Sequence, residues 1–146
     1  MKNLKSYISE GLLRGMEDTL ASGEEDVDAA KEKVSDDKLY SRAGINTNQS
    51  YNTIYQLYRR LREEDAALEI ADTMLLTPDL LGYFLTGAKG TEYTIATTTG
   101  LYNPTTKDWD WETIEALGLP KHIFTEIQSA NSLRGKLRPE LAAEFG

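Results

Sequence analysis

The clearest structural signal in the sequence is the stretch Leu75-Leu-Thr-Pro-Asp-Leu-Leu-Gly-Tyr-Phe-Leu-Thr-Gly87. A threonine can cap a helix, proline suits the first helical position, and aspartate is favoured at the positive end of the helix dipole. The apolar residues that follow are too dense for a solvent-exposed helix, and Gly87 can adopt the left-handed conformation that ends one. The stretch therefore predicts a strongly apolar helix from Pro78 to Thr86 that needs a partner surface.

Short helices with explicit start and stop residues are also predicted on both sides of this stretch. Before it, Asn52 or Ser50 can cap a helix with the apolar positions Ile54, Leu57, Tyr58 and Leu61, and Ala66 to Met74 forms another. After it, the pattern of Glu92 to Leu101 suits either a strand or a helix. Asp110 can cap a helix from Trp111 to Leu117, which Gly118 ends. Pro120 then begins a last helical turn that runs through Phe124. The pattern predicts a mainly helical fold.

The first 34 residues differ in composition from the rest of the chain. Apolar residues recur every fourth position from Leu4 through Ile8, Leu12 and Met16 to Leu20, which predicts an amphipathic helix. Residues 24–28 are acidic and are expected to be solvated, with a short helix from Ala29 to Val34. We therefore divide the chain into an amphipathic helical leader, residues 1–34, and a second segment, residues 35–146. The stripe over residues 4–20 could bind a partner helix or fold onto the second segment.

Composition excludes several classes of function. The net charge is −8 and the isoelectric point about 4.7, which argues against a general nucleic-acid surface and against binding to anionic membranes. The chain has no cysteine, so disulfides and thiolate metal sites are excluded. No segment approaches the roughly 20 apolar residues of a membrane-spanning helix, and no signal peptide is recognisable. We expect a cytoplasmic protein.

The residues that could carry chemistry mostly have simpler structural explanations. Gly87 to Gly90 is too short for a phosphate-binding loop, and His122 has no second ligand nearby for a metal. The aspartates Asp79, Asp108 and Asp110 stand where helices start. The threonines 97–99 could recognise the hydroxyl groups of a polyol, but packing against a neighbouring helix or bonding to backbone groups is the simpler interpretation. The arginines 59, 60 and 62 are expected to lie on a solvated helix face beside acidic residues. No catalytic residue and no metal ligand is predicted.

Several blocks of sequence, in order, resemble one known family. They are Leu39-Tyr-Ser-Arg-Ala-Gly-Ile45 with Asn52-Thr-Ile-Tyr-Gln-Leu57, then Leu75 to Gly87, Glu92-Tyr-Thr-Ile-Ala-Thr-Thr-Thr-Gly-Leu101, Asp108-Trp-Asp110 with Glu115-Ala-Leu-Gly-Leu-Pro120, and Leu137-Arg-Pro-Glu-Leu141. From about residue 37 onward the chain resembles an internal part of the N-terminal domain of the rhamnulose kinases, in the FGGY carbohydrate-kinase family. Residues 1–34 resemble no part of it.

The resemblance implies the helical part of an actin-like, ribonuclease H-like kinase domain, with a short β-hairpin around residues 88–101. It implies ATP and Mg²⁺ as the cofactors of the family and L-rhamnulose as the sugar, within L-rhamnose catabolism. The phosphate loop and the catalytic aspartate of the family are absent from this sequence. We therefore expect a fragment of an ATP-dependent sugar kinase that is inactive as an isolated chain.

By the same resemblance, Tyr51 and Asn52 are substrate-binding residues, since an aromatic residue before the Asn-Thr pair lies beside the sugar pocket in the family. Core packing of Tyr51 and helix capping by Asn52 are the alternative interpretations. For the whole chain, the alternative is a non-catalytic helical interaction module or a phage-associated fusion protein.

Overall fold

The fold of residues 23–46 and 48–145 is described by a computed structural model. Within these residues the helices are α1 Glu24–Lys33, α2 Asp36–Ala43, α3 Thr53–Arg62, α4 Ala66–Glu69, α5 Thr77–Thr86, α6 Tyr93–Ala96, α7 Trp111–Ala116 and α8 Pro139–Phe145, with a 3-10 turn at Lys121–Ile123. The strands are β1 Thr91–Glu92, β2 Tyr102–Asn103, β3 Asp108–Trp109 and β4 Ile127–Gln128. The mainly helical fold is confirmed, and none of these described helices is long and apolar enough to cross a membrane.

Two small sheets accompany the helices. Strand β1 pairs with β4 in parallel, and β2 pairs with β3 in an antiparallel hairpin in which Tyr102 lies opposite Trp109. The predicted position of the hairpin, residues 88–101, was wrong. Strand β1 ends because the side chain of Glu92 accepts hydrogen bonds from the backbone N–H groups of Thr94 and Ile95 and so starts helix α6.

Helix α1 packs into the main core. Val27, Ala30 and Val34 are buried in one apolar cluster with Ile54, Leu57 and Tyr58 of α3. The expectation that residues 24–28 are solvated holds for Glu24, Glu25 and Asp28, which are exposed, and was wrong for Asp26 and Val27, which are buried. All five residues belong to the first turns of α1, where acidic side chains are favoured. Asp26 is itself buried and pairs with Arg62 of α3 at 3.1 Å. The predicted stripe over residues 4–20 lies outside the described residues.

The N-terminal end of helix α3 is attached to the turn at residues 98–100. The backbone N–H of Ile54 donates to the carbonyl of Thr99 at 3.0 Å, and the side chain of Asn52 donates to the carbonyl of Thr98 at 2.8 Å. The turn then needs a glycine, because Gly100 has a φ of +75° and a Cβ there would lie 2.9 Å from the Cγ2 atom of Ile54. A side chain at this position would push the helix off the turn.

Helix α5 ends as predicted and begins differently. Gly87 ends it in the left-handed conformation, while Leu76, not Thr77, occupies the capping position. Asp79 is 1% exposed and does not cap, since its Oδ1 accepts from the backbone N–H of Glu92 at 3.0 Å and from Arg134 at 2.6 Å. This ion pair attaches the C-terminal segment to α5.

Two other predicted elements differ in detail. The predicted helix from Ala66 to Met74 is a single turn, α4, because the backbone N–H of Met74 donates to the carbonyl of Ile123 and holds the chain extended. The apolar residues of α5 are incompletely covered, with Leu81 42% and Leu85 49% exposed. That α5 needs a further partner surface stays a prediction, since the described residues cover its apolar side chains only in part.

We predict that Gly100→Ala destabilises the protein by about 2 kcal/mol, since a non-glycine residue with positive φ is strained and the new methyl group meets Ile54. Chemical denaturation should show this loss. Gly23→Ala is the matched control, because a Cβ at Gly23 meets nothing within 4 Å and its φ is −119°. Equal stability of the two variants would contradict the packing described here.

We predict that Asp79→Ala costs about 3 kcal/mol of stability, because it leaves Arg134 partly buried without its carboxylate. Asp79→Asn should cost less, since it keeps an acceptor for the N–H of Glu92. The control is Asp72→Ala, which removes a surface ion pair with Lys89 in which the Asp72 side chain is 86% exposed. Equal decreases in the denaturation midpoint for Asp72→Ala and Asp79→Ala would show that burial does not strengthen the contribution of the Asp79–Arg134 pair to stability.

We predict that deleting residues 1–34 lowers the melting temperature or causes aggregation. The deletion removes Val27 and Val34 from the core, and each buried valine contributes about 1.5–3 kcal/mol. Deleting residues 1–22 alone is the comparison, since it leaves α1 in place. A chain lacking residues 1–34 that melts cooperatively at the full-length temperature would refute the prediction.

Candidate functional site

A groove lies where the loop after α2 meets the start of α3 and the end of α6. Its volume is about 460 Å³. The described residues that line it are Ile45, Asn46, Gln49, Tyr51, Asn52, Thr53, Thr97 and Thr98. None of these lining residues carries a charge at neutral pH. The structure therefore brings together the two residues predicted to bind substrate and two of the three threonines.

Asn52 contributes a buried hydrogen-bond acceptor to this groove. The residue is 5% exposed, and its Nδ2 donates a hydrogen bond to the carbonyl of Thr98. Its Oδ1 is buried and accepts no hydrogen bond from any residue that the structure describes. Helix capping by this side chain, one of the alternatives, is absent. A buried amide oxygen without a partner is unfavourable, so a ligand that donates a hydrogen bond to it would be stabilised.

Tyr51 presents its side chain to solvent at the edge of the groove. It is 54% exposed, so the alternative of core packing is wrong for this residue. The backbone of Tyr51 is held by a hydrogen bond, since its carbonyl accepts from the side chain of Gln56 at 2.9 Å. An aromatic ring in this place offers an apolar surface with a hydroxyl at one end. It can cover one face of a small ligand whose hydroxyl groups reach Asn52.

Thr97 and Thr98 contribute further acceptors. As predicted, their hydroxyl groups bond to backbone, with Thr97 donating to the carbonyl of Thr94 at 2.7 Å and Thr98 to that of Ile95 at 2.8 Å. Each hydroxyl has a single hydrogen to donate, so only its lone pairs remain for a ligand. Together with the Oδ1 of Asn52, they make a groove that accepts hydrogen bonds and carries no charge. This combination suits a neutral polyhydroxyl molecule.

The other candidate residues do not converge on a second site. Asp110 caps α7 as predicted, because its Oδ1 accepts from the backbone N–H of Thr113 at 3.4 Å. Its Oδ2 also accepts from the hydroxyl of Thr113 at 2.6 Å, and its Oδ1 pairs with Arg42 at 3.0 Å. Hydrogen bonding to Glu112, and then to Asp110, raises the pKa of Arg42. His122 is exposed and lies 3.0 Å from the carbonyl of Ala71. Among the described residues no group of three or more histidine or acidic side chains is placed to hold a metal.

The arginines of α3 are paired rather than simply solvated. Arg59 contacts Glu63 at 2.8 Å, and Arg60 pairs with Asp65. Arg62 contacts Asp26, which joins α3 to α1. The cross-helix pairing of Arg62 could not be read from the sequence, because its partner lies 36 residues away.

The sequence matches the profile of the FGGY family of carbohydrate kinases, N-terminal domain, over residues 21–146. The match begins before residue 34, so the expectation that residues 1–34 resemble no part of the family was wrong for residues 21–34. The division of the chain at residue 34 remains a prediction, although α1 lies within the matched residues.

Curated relatives agree with this match. The chain is 44% identical to a rhamnulokinase of Oceanobacillus iheyensis over 114 residues, and 42% identical to that of Halalkalibacterium halodurans over 115 residues. These alignments cover 78% and 79% of this chain and 24% of each relative. The chain thus spans about a quarter of the length of the curated relatives it matches.

Solved structures show the same fold. A xylulose kinase from Rhodospirillum rubrum superposes with a TM-score of 0.73 at 18% identity, covering 82% of this chain and 24% of that one. Plasmodium falciparum glycerol kinase gives a TM-score of 0.73 at 20% identity, covering 84% and 25%. The predicted resemblance is confirmed. The chain belongs to the FGGY family of carbohydrate kinases, as part of the N-terminal domain of that family.

Proposed function

We propose that this chain is the sugar-contacting part of an ATP-dependent kinase that phosphorylates L-rhamnulose or a similar ketose in the cytoplasm, within L-rhamnose catabolism. The observation that carries the proposal is the buried, unpartnered Oδ1 of Asn52 in an uncharged groove beside the exposed Tyr51. The identity of 36–44% to several rhamnulokinases supports the choice of sugar.

In this proposal the groove binds and orients the sugar. A hydroxyl of the ketose donates to the Oδ1 of Asn52, and the ring of Tyr51 covers the less polar face of the sugar. Because the lining residues carry no charge, a neutral sugar is favoured over a phosphorylated one. The chain's own residues thus supply positioning, which is a major part of the catalysis of phosphoryl transfer.

ATP and Mg²⁺ are the phosphate donor and metal ion that the family implies, and the described residues do not fit them. The turn at Gly87 is a helix cap whose backbone N–H already donates to the carbonyl of Tyr83 at 2.7 Å, so this N–H is not available to a phosphate. No acidic cluster for a metal is present among the described residues. We therefore propose that, in isolation, the chain binds the sugar without phosphorylating it.

A second candidate function is a non-catalytic interaction module. The exposed Leu81 and Leu85 on α5 support it, since apolar side chains on one helix face are suited to contact with another protein. The groove favours the kinase-derived role over the interaction module, because a helix that only docks on another protein does not require the buried acceptor at Asn52.

We predict that L-rhamnulose binds the 146-residue chain and that Tyr51→Ala weakens this binding about tenfold, the scale of one aromatic contact. The measurement is calorimetric titration of the sugar, with D-xylulose and glycerol as comparison ligands. Tyr40→Ala is the matched control, an exposed tyrosine on α2 that does not line the groove. Equal affinity in both variants, or no binding by the unmodified chain, would reject the proposed site.

Turnover is tested separately with a coupled assay of ADP release. We expect no release above a mock-purified preparation, because positioning without the phosphate loop and catalytic base gives little acceleration. Release that exceeds the mock preparation and disappears in Tyr51→Ala would show that the isolated chain is active.

A further inference from the structure

Lys31 links three segments of the chain next to the groove. Its ammonium group donates a hydrogen bond to the Oδ1 of Asn48 and lies 3.2 Å from a carboxylate oxygen of Asp36. The first contact joins helix α1 to the loop before α3, and the second joins α1 to the start of α2. The Lys31 side chain is 23% exposed, so its stem is largely packed against the protein.

The loop segment that Lys31 holds carries groove residues. The backbone N–H of Asn48 donates to the side chain of Asn46 at 2.9 Å, and the backbone N–H of Asn52 donates to the carbonyl of Gln49 at 2.9 Å. Asn48 is thus hydrogen bonded to the lining residue Asn46, and it directly precedes the turn in which Gln49 bonds to Asn52. Holding its side chain from α1 restrains the turn that presents Tyr51.

A second groove, lined by residues of α1 and by Tyr51, supports the same link between α1 and the loop before α3. A neighbouring groove of about 360 Å³ is lined by Lys31, Asn48 and Tyr51, and also by Glu24, Val27, Asp28, Gln49 and Ser50. Tyr51 and Gln49 line both grooves, so Tyr51 borders both the proposed sugar groove and the groove beside helix α1.

We infer that Lys31 is a positioning residue for the groove: by holding Asn48, it sets the conformation of residues 48–51 and the placement of Tyr51. The inference rests on the proposed function for its effect on sugar binding. It assigns a role to helix α1 beyond core packing. The contact is a charge-assisted hydrogen bond to a neutral amide, which is stronger than one between neutral groups.

Two variants of Lys31, one variant of Asn48 and one control test this in the full chain. Lys31→Met keeps the length of the side chain and removes its charge and donors, while Lys31→Arg keeps both. Lys33→Met is the control, an exposed lysine on the same helix that lines neither groove. Asn48→Ala removes the same contact from an exposed loop position, so the test stands even if Lys31→Met folds poorly.

Amide hydrogen exchange of residues 48–52 is the first readout and needs no ligand. We expect exchange about fivefold faster in Lys31→Met and in Asn48→Ala, the factor for losing one hydrogen bond, and unchanged exchange in Lys33→Met and Lys31→Arg. Unchanged exchange in Lys31→Met and Asn48→Ala overturns the inference, whether or not the chain binds sugar.

Titration with L-rhamnulose is the second readout. We expect about fivefold weaker binding in Lys31→Met, with recovery in Lys31→Arg. Faster exchange together with unchanged affinity overturns the positioning role. If the unmodified chain does not bind L-rhamnulose, the proposed function fails, while hydrogen exchange still decides whether Lys31 sets the loop.

Discussion

The attachment of helix α3 to the turn at residues 98–100 is the constraint on which the site depends. Two hydrogen bonds, from Ile54 to Thr99 and from Asn52 to Thr98, connect segments that are more than 40 residues apart. They bring the groove residues of the loop before α3 against those that follow α6. The glycine at position 100 permits this approach, because any Cβ there would collide with Ile54.

The same attachment explains the chemistry of the groove. The Nδ2 of Asn52 donates to the carbonyl of Thr98, so its Oδ1 remains to accept a hydrogen bond from a ligand. The hydroxyl groups of Thr97 and Thr98 donate to carbonyl groups of their own turn, so only their oxygen lone pairs remain to accept hydrogen bonds from a ligand. A protein with a net charge of −8 thereby presents an uncharged groove of acceptors, which suits the many O–H donors of a neutral sugar.

Helix α1 and the C-terminal segment stabilise opposite parts of the structure by different means. Helix α1 contributes apolar side chains to the core and the pair Asp26–Arg62 at its edge. The C-terminal segment is attached to α5 through the buried pair Asp79–Arg134, and the guanidinium of Arg138 lies 5.5 Å from the ring of Tyr83. Hydrophobic burial allows α1 to form a continuous core with α3, whereas α5 keeps exposed leucines because arginine contacts cover only one side of it.

The sequence by itself determined the helical class, the family, the end of helix α5 and the start and end of α7. These depend on local chemistry, such as Gly87 and Gly118 with their left-handed backbones and Asp110 as a side-chain cap. Motif order was sufficient to identify Tyr51 and Asn52 as candidates. The tertiary structure alone decided that Asp79 is an ion-pair partner, that residues 24–28 belong to a packed helix, and that Lys31 reaches Asn48. These features depend on residues 17 to 55 positions apart, whose meeting is set by the packing of the helices and not by any local pattern.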